Sequence, residues 1–200
     1  AGLPNHGYDR TLSWSGQGGS EGFTFYLAGD LSDAEGIWPT DTNSSKSFRA
    51  NFDWTMSDNA VAQIRYGLYN TSANFAGGDH TGSAPILGSY VGNPLNVGDG
   101  DSDGWLNRAA RYRGKKTQSD ETLRQIVSLN VTYEPTDWFM NRLTVGGDFS
   151  NTKFFQFWPK NDEGWFRFGR PNNNGRVQEN HTKYSNLTVD YLANFTPSML

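Results

Sequence analysis

The stretch LRQIVSLNVTYEPTDWFMNRLTVGGDFS, residues 123–150, decides how the whole chain is read. Before Glu134, the residues Val127, Leu129, Val131 and Tyr133 alternate with Ser128, Asn130 and Thr132. After Asp137, Leu143, Val145 and Phe149 alternate with Arg142, Thr144 and Asp148. Successive side chains of a strand point to opposite faces, so a period of two predicts two long strands, each with an apolar and a polar face. Glu134-Pro135-Thr136-Asp137 has turn chemistry: proline presets φ, and Thr and Asp side chains bond back to the backbone.

The same alternation recurs on both sides of this hairpin. It predicts strands over 11–16 (Leu12 and Trp14 on one face), 23–31 (Phe23, Phe25, Leu27, Leu31), 46–55 (Phe48, Ala50, Phe52, Trp54), 60–69 (Ala62, Ile64, Tyr66, Leu68) and 183–195 (Leu187, Val189, Tyr191, Phe195). Leu192 is an apolar exception on the polar face of the last strand, and Asn141 interrupts the apolar row of the second hairpin strand. Gln17-Gly18-Gly19-Ser20-Glu21 and Ser57-Asp58-Asn59 read as tight turns, whereas 32–45, 70–122 and 151–182 read as long connections.

Composition agrees with an all-β chain and narrows its class. Aromatics make up 14% of the 200 residues, with 23 glycines and 7 tryptophans, a strand-rich profile and not a disordered one. No apolar run approaches the roughly 18 residues that a membrane-spanning helix needs. The absence of cysteine excludes disulfides, thiolate nucleophiles and thiolate metal sites, and a net charge of −4 argues against nucleic acid as the main partner.

Tight and long connections alternate along the chain. In an up-and-down sheet, successive connections fall at opposite ends, so every tight turn lies at one end and every long loop at the other. Aromatics beside the tight turns (Phe23, Trp54, Tyr133, Phe139, Phe195) add a girdle at that end. Outer-membrane barrels combine these features. The expectation is therefore an all-β, antiparallel up-and-down transmembrane β-barrel, here a fragment of roughly seven to eight strands. Residues 1–200 would form part of one barrel domain with no plug domain. Arg49, Asn51, Arg65, Asn130 and Arg142, together with Asp53, Gln63, Asp148 and Asp190, would face the lumen. Leu129, Val131, Leu143 and Val145 would face lipid. Where the chain starts (Ala1-Gly2-Leu3-Pro4) and where it stops (Phe195 to Leu200) read as an excised piece of a longer protein.

Several stretches in order resemble the early barrel of SusC/RagA-like TonB-dependent outer-membrane receptors. They are Ser15 to Gly19 leading into Phe25 to Asp30, Asp33 to Ile37, Phe48 to Asp53, Gly92 to Leu95, Pro135 to Trp138 and Arg142 to Asp148. The resemblance implies an outer-membrane importer of a bulky nutrient, an oligosaccharide or peptide, working with TonB and a SusD-like lipoprotein and without enzymatic activity. It departs from that family in having no plug, no TonB box and no closing C-terminal strand.

Signals of catalysis or of a cofactor are few. His6, His80 and His181 show no ligand spacing, and there is no G-x-S-x-G elbow or phosphate-binding loop. Asp99, Asp101 and Asp103 match the first half of a calcium loop, but the twelfth position is Ala110, so the pattern fails and no metal or cofactor is expected. The Asn-x-Ser/Thr triplets at Asn130, Asn186 and Asn194 fall within expected strands, where polar-face side chains explain them better than glycosylation. The 151–182 connection gathers Trp158, Trp165 and Arg170, residue types that stack on sugar rings and fork hydrogen bonds to them, and these are the candidate substrate contacts. Two other readings stay open: a β-sandwich that binds carbohydrate, and a small closed barrel with a structural or adhesive role.

Overall fold

The computed structural model describes residues 6–37, 40–75, 90–93, 95, 104, 117–158, 160, 166–167, 170–171 and 175–196. The strands in chain order are β1 (Tyr8–Ser20), β2 (Phe23–Glu35), β3 (Thr42–Ser57), β4 (Ala60–Asn74), β5 (Thr117–Thr136), β6 (Phe139–Trp158), β7 (Phe166–Arg167), β8 (Arg170–Pro171) and β9 (Arg176–Phe195). Seven of them form one sheet in the order β1-β2-β3-β4-β5-β6-β9, every pair antiparallel, while β7 and β8 pair separately as a short ribbon.

Three two-residue turns join neighbours: Glu21-Gly22, Asp58-Asn59 and Asp137-Trp138. Two of them fall later than the sequence predicts. Gly18 and Gly19 lie inside β1, where a Cβ at Gly18 would come within 3.0 Å of the Phe25 ring and one at Gly19 within 2.4 Å of the Phe23 carbonyl. These glycines serve close cross-strand approach, not chain reversal. Likewise, β5 runs through Pro135 to Thr136 with a register shift between Tyr133 and Thr136, which leaves Asp137 and Trp138 as the reversal.

At the opposite end the strands outrun the alternating pattern. Asp33, Ala34 and Glu35 still pair with Ser44, Asn43 and Thr42, and Asn70 to Asn74 pair with Leu123 to Ser119. These segments are Ser-, Thr-, Asn- and Asp-rich on both faces, so period two carries no apolar signal there. Backbone ladders and side-chain bonds such as Asn74 Nδ2 to Thr42 Oγ1 at 2.8 Å hold them.

The barrel expectation is overturned by the edges. A closed barrel needs its first and last strands paired, and among the described residues β1 bonds only to β2 and β9 only to β6. Among the described residues the sheet is open and encloses no lumen for Arg49, Asn51, Arg65, Asn130 and Arg142 to face. Two free edges, of 13 and 20 residues, expose rows of backbone N–H and C=O groups, an arrangement that lipid does not tolerate. The lipid-facing assignment of Leu129, Val131, Leu143 and Val145, and with it the outer-membrane placement, falls with closure. No helix among the described residues is long and apolar enough to cross a membrane.

The register sorts the side chains into two faces. On one, Phe52–Ile64–Leu129–Val145–Val189 and Ala50–Tyr66–Val127–Gly147–Leu187 form continuous cross-strand rows. Among the described residues, nothing lies over this face. Ala50 and Ala62, at 5% and 7% exposure, are the buried apolar residues among those described, while Leu143, Val189 and Tyr191 remain 41%, 62% and 66% exposed. The sheet is a single amphipathic layer whose apolar contacts lie only between neighbouring strands.

Tight aromatic contacts gather at the turn end. Phe139 stacks on Phe195 with centroids 4.5 Å apart, Trp138 lies 5.9 Å and 6.3 Å from the same two rings, and Phe23 stacks on Phe52 at 6.0 Å. Asn141 breaks the apolar row for a local reason: its Oδ1 accepts the Tyr191 hydroxyl from the adjacent strand.

Candidate functional site

The polar face carries the sequence-predicted residues, and the register brings them together. Asp53, Gln63, Asn130, Thr144 and Asp190 occupy one row across β3, β4, β5, β6 and β9; Asn51 and Arg65 stand in the next row, and Arg49 in the one beyond. Arg142 pairs with Thr132 and Leu192 one row nearer the turns.

A hydrogen-bond relay crosses four of these strands. Thr144 Oγ1 donates to Asn130 Oδ1 at 3.3 Å, Asn130 Nδ2 to Gln63 Oε1 at 3.2 Å, and Gln63 Nε2 to Asp53 Oδ1 at 2.9 Å. Arg65 Nη2 donates to the same Asp53 oxygen at 2.6 Å, while its Nη1 reaches the carbonyls of Phe52 at 2.9 Å and Ile64 at 3.1 Å. Both charges of the Arg65–Asp53 pair are partly exposed, at 38% and 41%, so the pair orients side chains more than it stabilises the sheet.

Sequence reading missed a second ion pair on this face. Arg124 grips Asp148 with two bonds, and that fork holds the Asp148 carboxyl below the usual carboxylate range. Nearer the long-connection end, Asp30 is also held low by the hydroxyls of Ser13 and Ser47, the latter at 2.8 Å.

The apolar face changes character over two adjacent rows towards the long-connection end. Moving away from the turns, Phe48 gives way to Lys46, Leu68 to Asn70, Leu123 to Glu121 and Phe149 to Asn151. Ser44, Lys46, Asn70, Ser72 and Glu121 line a depression of about 290 Å³ there. Beside it, Glu179 accepts from His181 Nε2 at 2.8 Å and pairs with Lys153 Nζ at 3.2 Å; these two partners, His181 first, lower its pKa. Polar residues standing where the apolar register should continue are the sequence signal that could have revealed this cluster.

Trp158 ends β6 opposite Arg176, Arg170 pairs with Arg167 in the β7–β8 ribbon, and Trp165 lies outside the described residues. Asp99, Asp101, Asp103 and His80 also lie outside them. No group of three or more His, Asp or Glu able to hold a metal occurs among the described residues.

No family model matches the chain, and no curated protein matches it. The SusC/RagA resemblance is thus corrected on two counts. Its motifs do not add up to a family match, and the open sheet lacks the closed wall on which an importer depends. The short strand-turn-strand motifs that carried it are satisfied by any antiparallel sheet of this register. TonB and the SusD-like lipoprotein were implied by that resemblance alone, and outer-membrane lipid by the closed barrel.

Proposed function

We propose that the chain is a non-catalytic carbohydrate-binding β-domain of sandwich type, with the seven-stranded sheet as one of its two layers. The supporting observation is the division of a single open sheet into an uncovered apolar face and a face of interlinked polar side chains. Sandwich layers bury their apolar faces against each other about 10 Å apart, which gives the half-exposed Leu, Val, Tyr and Phe rows a partner. Amide, carboxylate, guanidinium and hydroxyl groups held on rigid strands are the groups that pair with vicinal hydroxyls of a sugar. The catalytic step that an enzyme would need has no assigned residues in this reading.

The test is affinity electrophoresis of the purified chain through gels containing β-glucan, xylan, mannan or pullulan. Retardation by at least one polymer, reversed by its free oligosaccharide, is expected. Equal mobility in all gels would refute the carbohydrate reading.

A further inference from the structure

The side chains that line the depression at the polar end of the apolar face take no part in the sheet's own hydrogen bonding among the described residues. Ser44 and Lys46 of β3 pair with Ser72 and Asn70 of β4, and Ser72 pairs with Glu121 of β5, so the five side chains rise from adjacent positions on one face. Among the described residues, none of the five makes a side-chain hydrogen bond or ion pair, although its surroundings do. The flanking row is closed by Asn74 and Thr42. At the same level on the opposite face, Ser47 bonds Asp30 and Thr122 bonds Thr152. The donors and acceptors of the depression are left over after the sheet has satisfied itself.

Their chemistry narrows the ligand. Lys46 and Glu121 cancel in charge, which disfavours a phosphate or a simple cation and leaves a neutral, polar molecule. The Asn70 amide offers a donor and an acceptor side by side, spaced for vicinal hydroxyls, and the Ser44 and Ser72 hydroxyls can either give or accept. Leu31 pairs with Lys46, and Leu123 with Asn70; at 45% and 40% exposure they place apolar surface beside the polar groups, as the C–H face of a sugar ring requires. The volume of about 290 Å³ falls near the lower end of the roughly 300–1,000 Å³ range of small-molecule sites, room for one ring.

We propose that this depression is a subsite for a single pyranose residue, held through its hydroxyls by Asn70, Glu121, Lys46 and the two serines. The proposal rests on the carbohydrate reading above and adds to its polar face a subsite on the other face, at the long-connection end, where polar residues replace the apolar rows that a second layer would cover.

The experiment is an amide-detected NMR titration of the intact chain with methyl hexopyranosides and with any oligosaccharide active in the electrophoresis. Shifts centred on residues 44–46, 70–72 and 121 are expected. Asn70→Ala and Glu121→Ala should each weaken binding roughly five- to tenfold, the size of one lost hydrogen bond. Ser72→Trp, which fills the depression, should abolish it. A variant whose spectrum departs from the parent's is replaced by Asn70→Asp or Glu121→Gln, which alter the bonding and keep the volume. A glycan bound equally by all variants would overturn the subsite and leave the carbohydrate reading standing. A chain that binds no glycan would end both. Binding of free glycine, abolished by Lys46→Met, in place of sugars would mark a zwitterion site and also overturn the proposal.

Discussion

Arg124 and Asp148 face each other diagonally across β5 and β6, the guanidinium Nε 2.9 Å from Oδ1 and Nη2 2.6 Å from Oδ2. This fork ties β5 to β6 on the polar face, and it needs the planar guanidinium, since an ammonium presents a point charge and not two parallel donors. In Arg124→Met the Asp148 carboxyl should titrate higher than in the parent, back toward the ordinary carboxylate range, and Arg124→Lys should fall between them. Carboxyl-carbon NMR titration measures this directly, and an identical midpoint in all three proteins would exclude the fork in solution.

Lowered carboxyl pKa values also set the sign of the pH response. Asp30, Asp148 and Glu179 all have folded-state values below their ordinary ones. Their contribution is fully present above the ordinary carboxylate range and is lost as pH falls through the lowered folded values. Stability measured by urea denaturation should therefore decline from about pH 5 downward, with a modest amplitude because these groups are solvent-exposed. In His181→Ala the Glu179 midpoint should rise. A curve that stays flat into strong acid would contradict the assignment.

Gly29 is a packing requirement. A Cβ there would stand 2.5–2.7 Å from the Trp14 ring, which lies over it and against Phe48 at a centroid distance of 6.2 Å. Gly29→Val should expel Trp14, erase the Trp14–Phe48 NOEs and destabilise the sheet by about 1–3 kcal/mol, the usual cost of overpacking. Unchanged NOEs would show that the ring sits elsewhere.

The open edges predict a gradient of amide exchange. β3, β4 and β5 are paired on both sides, whereas alternate N–H groups of β1 and β9 point away from the sheet. Those outward amides should exchange orders of magnitude faster than their inward neighbours. Uniform protection along β1 and β9 would mean that their free edges are paired.

The all-β, antiparallel character was legible in the sequence because period-two alternation is a local property of each strand. So was the shared face of Arg49, Asn51, Arg65 and Asn130, since residue parity fixes the face once the strands are paired. Strand ends were not legible: polar segments such as Asn70 to Asn74 carry no alternation, and their pairing with Ser119 to Leu123 is a choice made between distant segments. The Arg124–Asp148 fork and the depression at Ser44, Lys46, Asn70, Ser72 and Glu121 were hidden for the same reason, since each depends on the register between strands.

Closure was the feature that sequence could not determine. Amphipathic strands with short turns at one end suit a barrel wall and a flat layer equally, because each strand senses only its immediate neighbours. Whether β1 meets β9 depends on twist and stagger summed over the whole sheet, and that sum exists only in the tertiary structure, which leaves both edges free among the described residues.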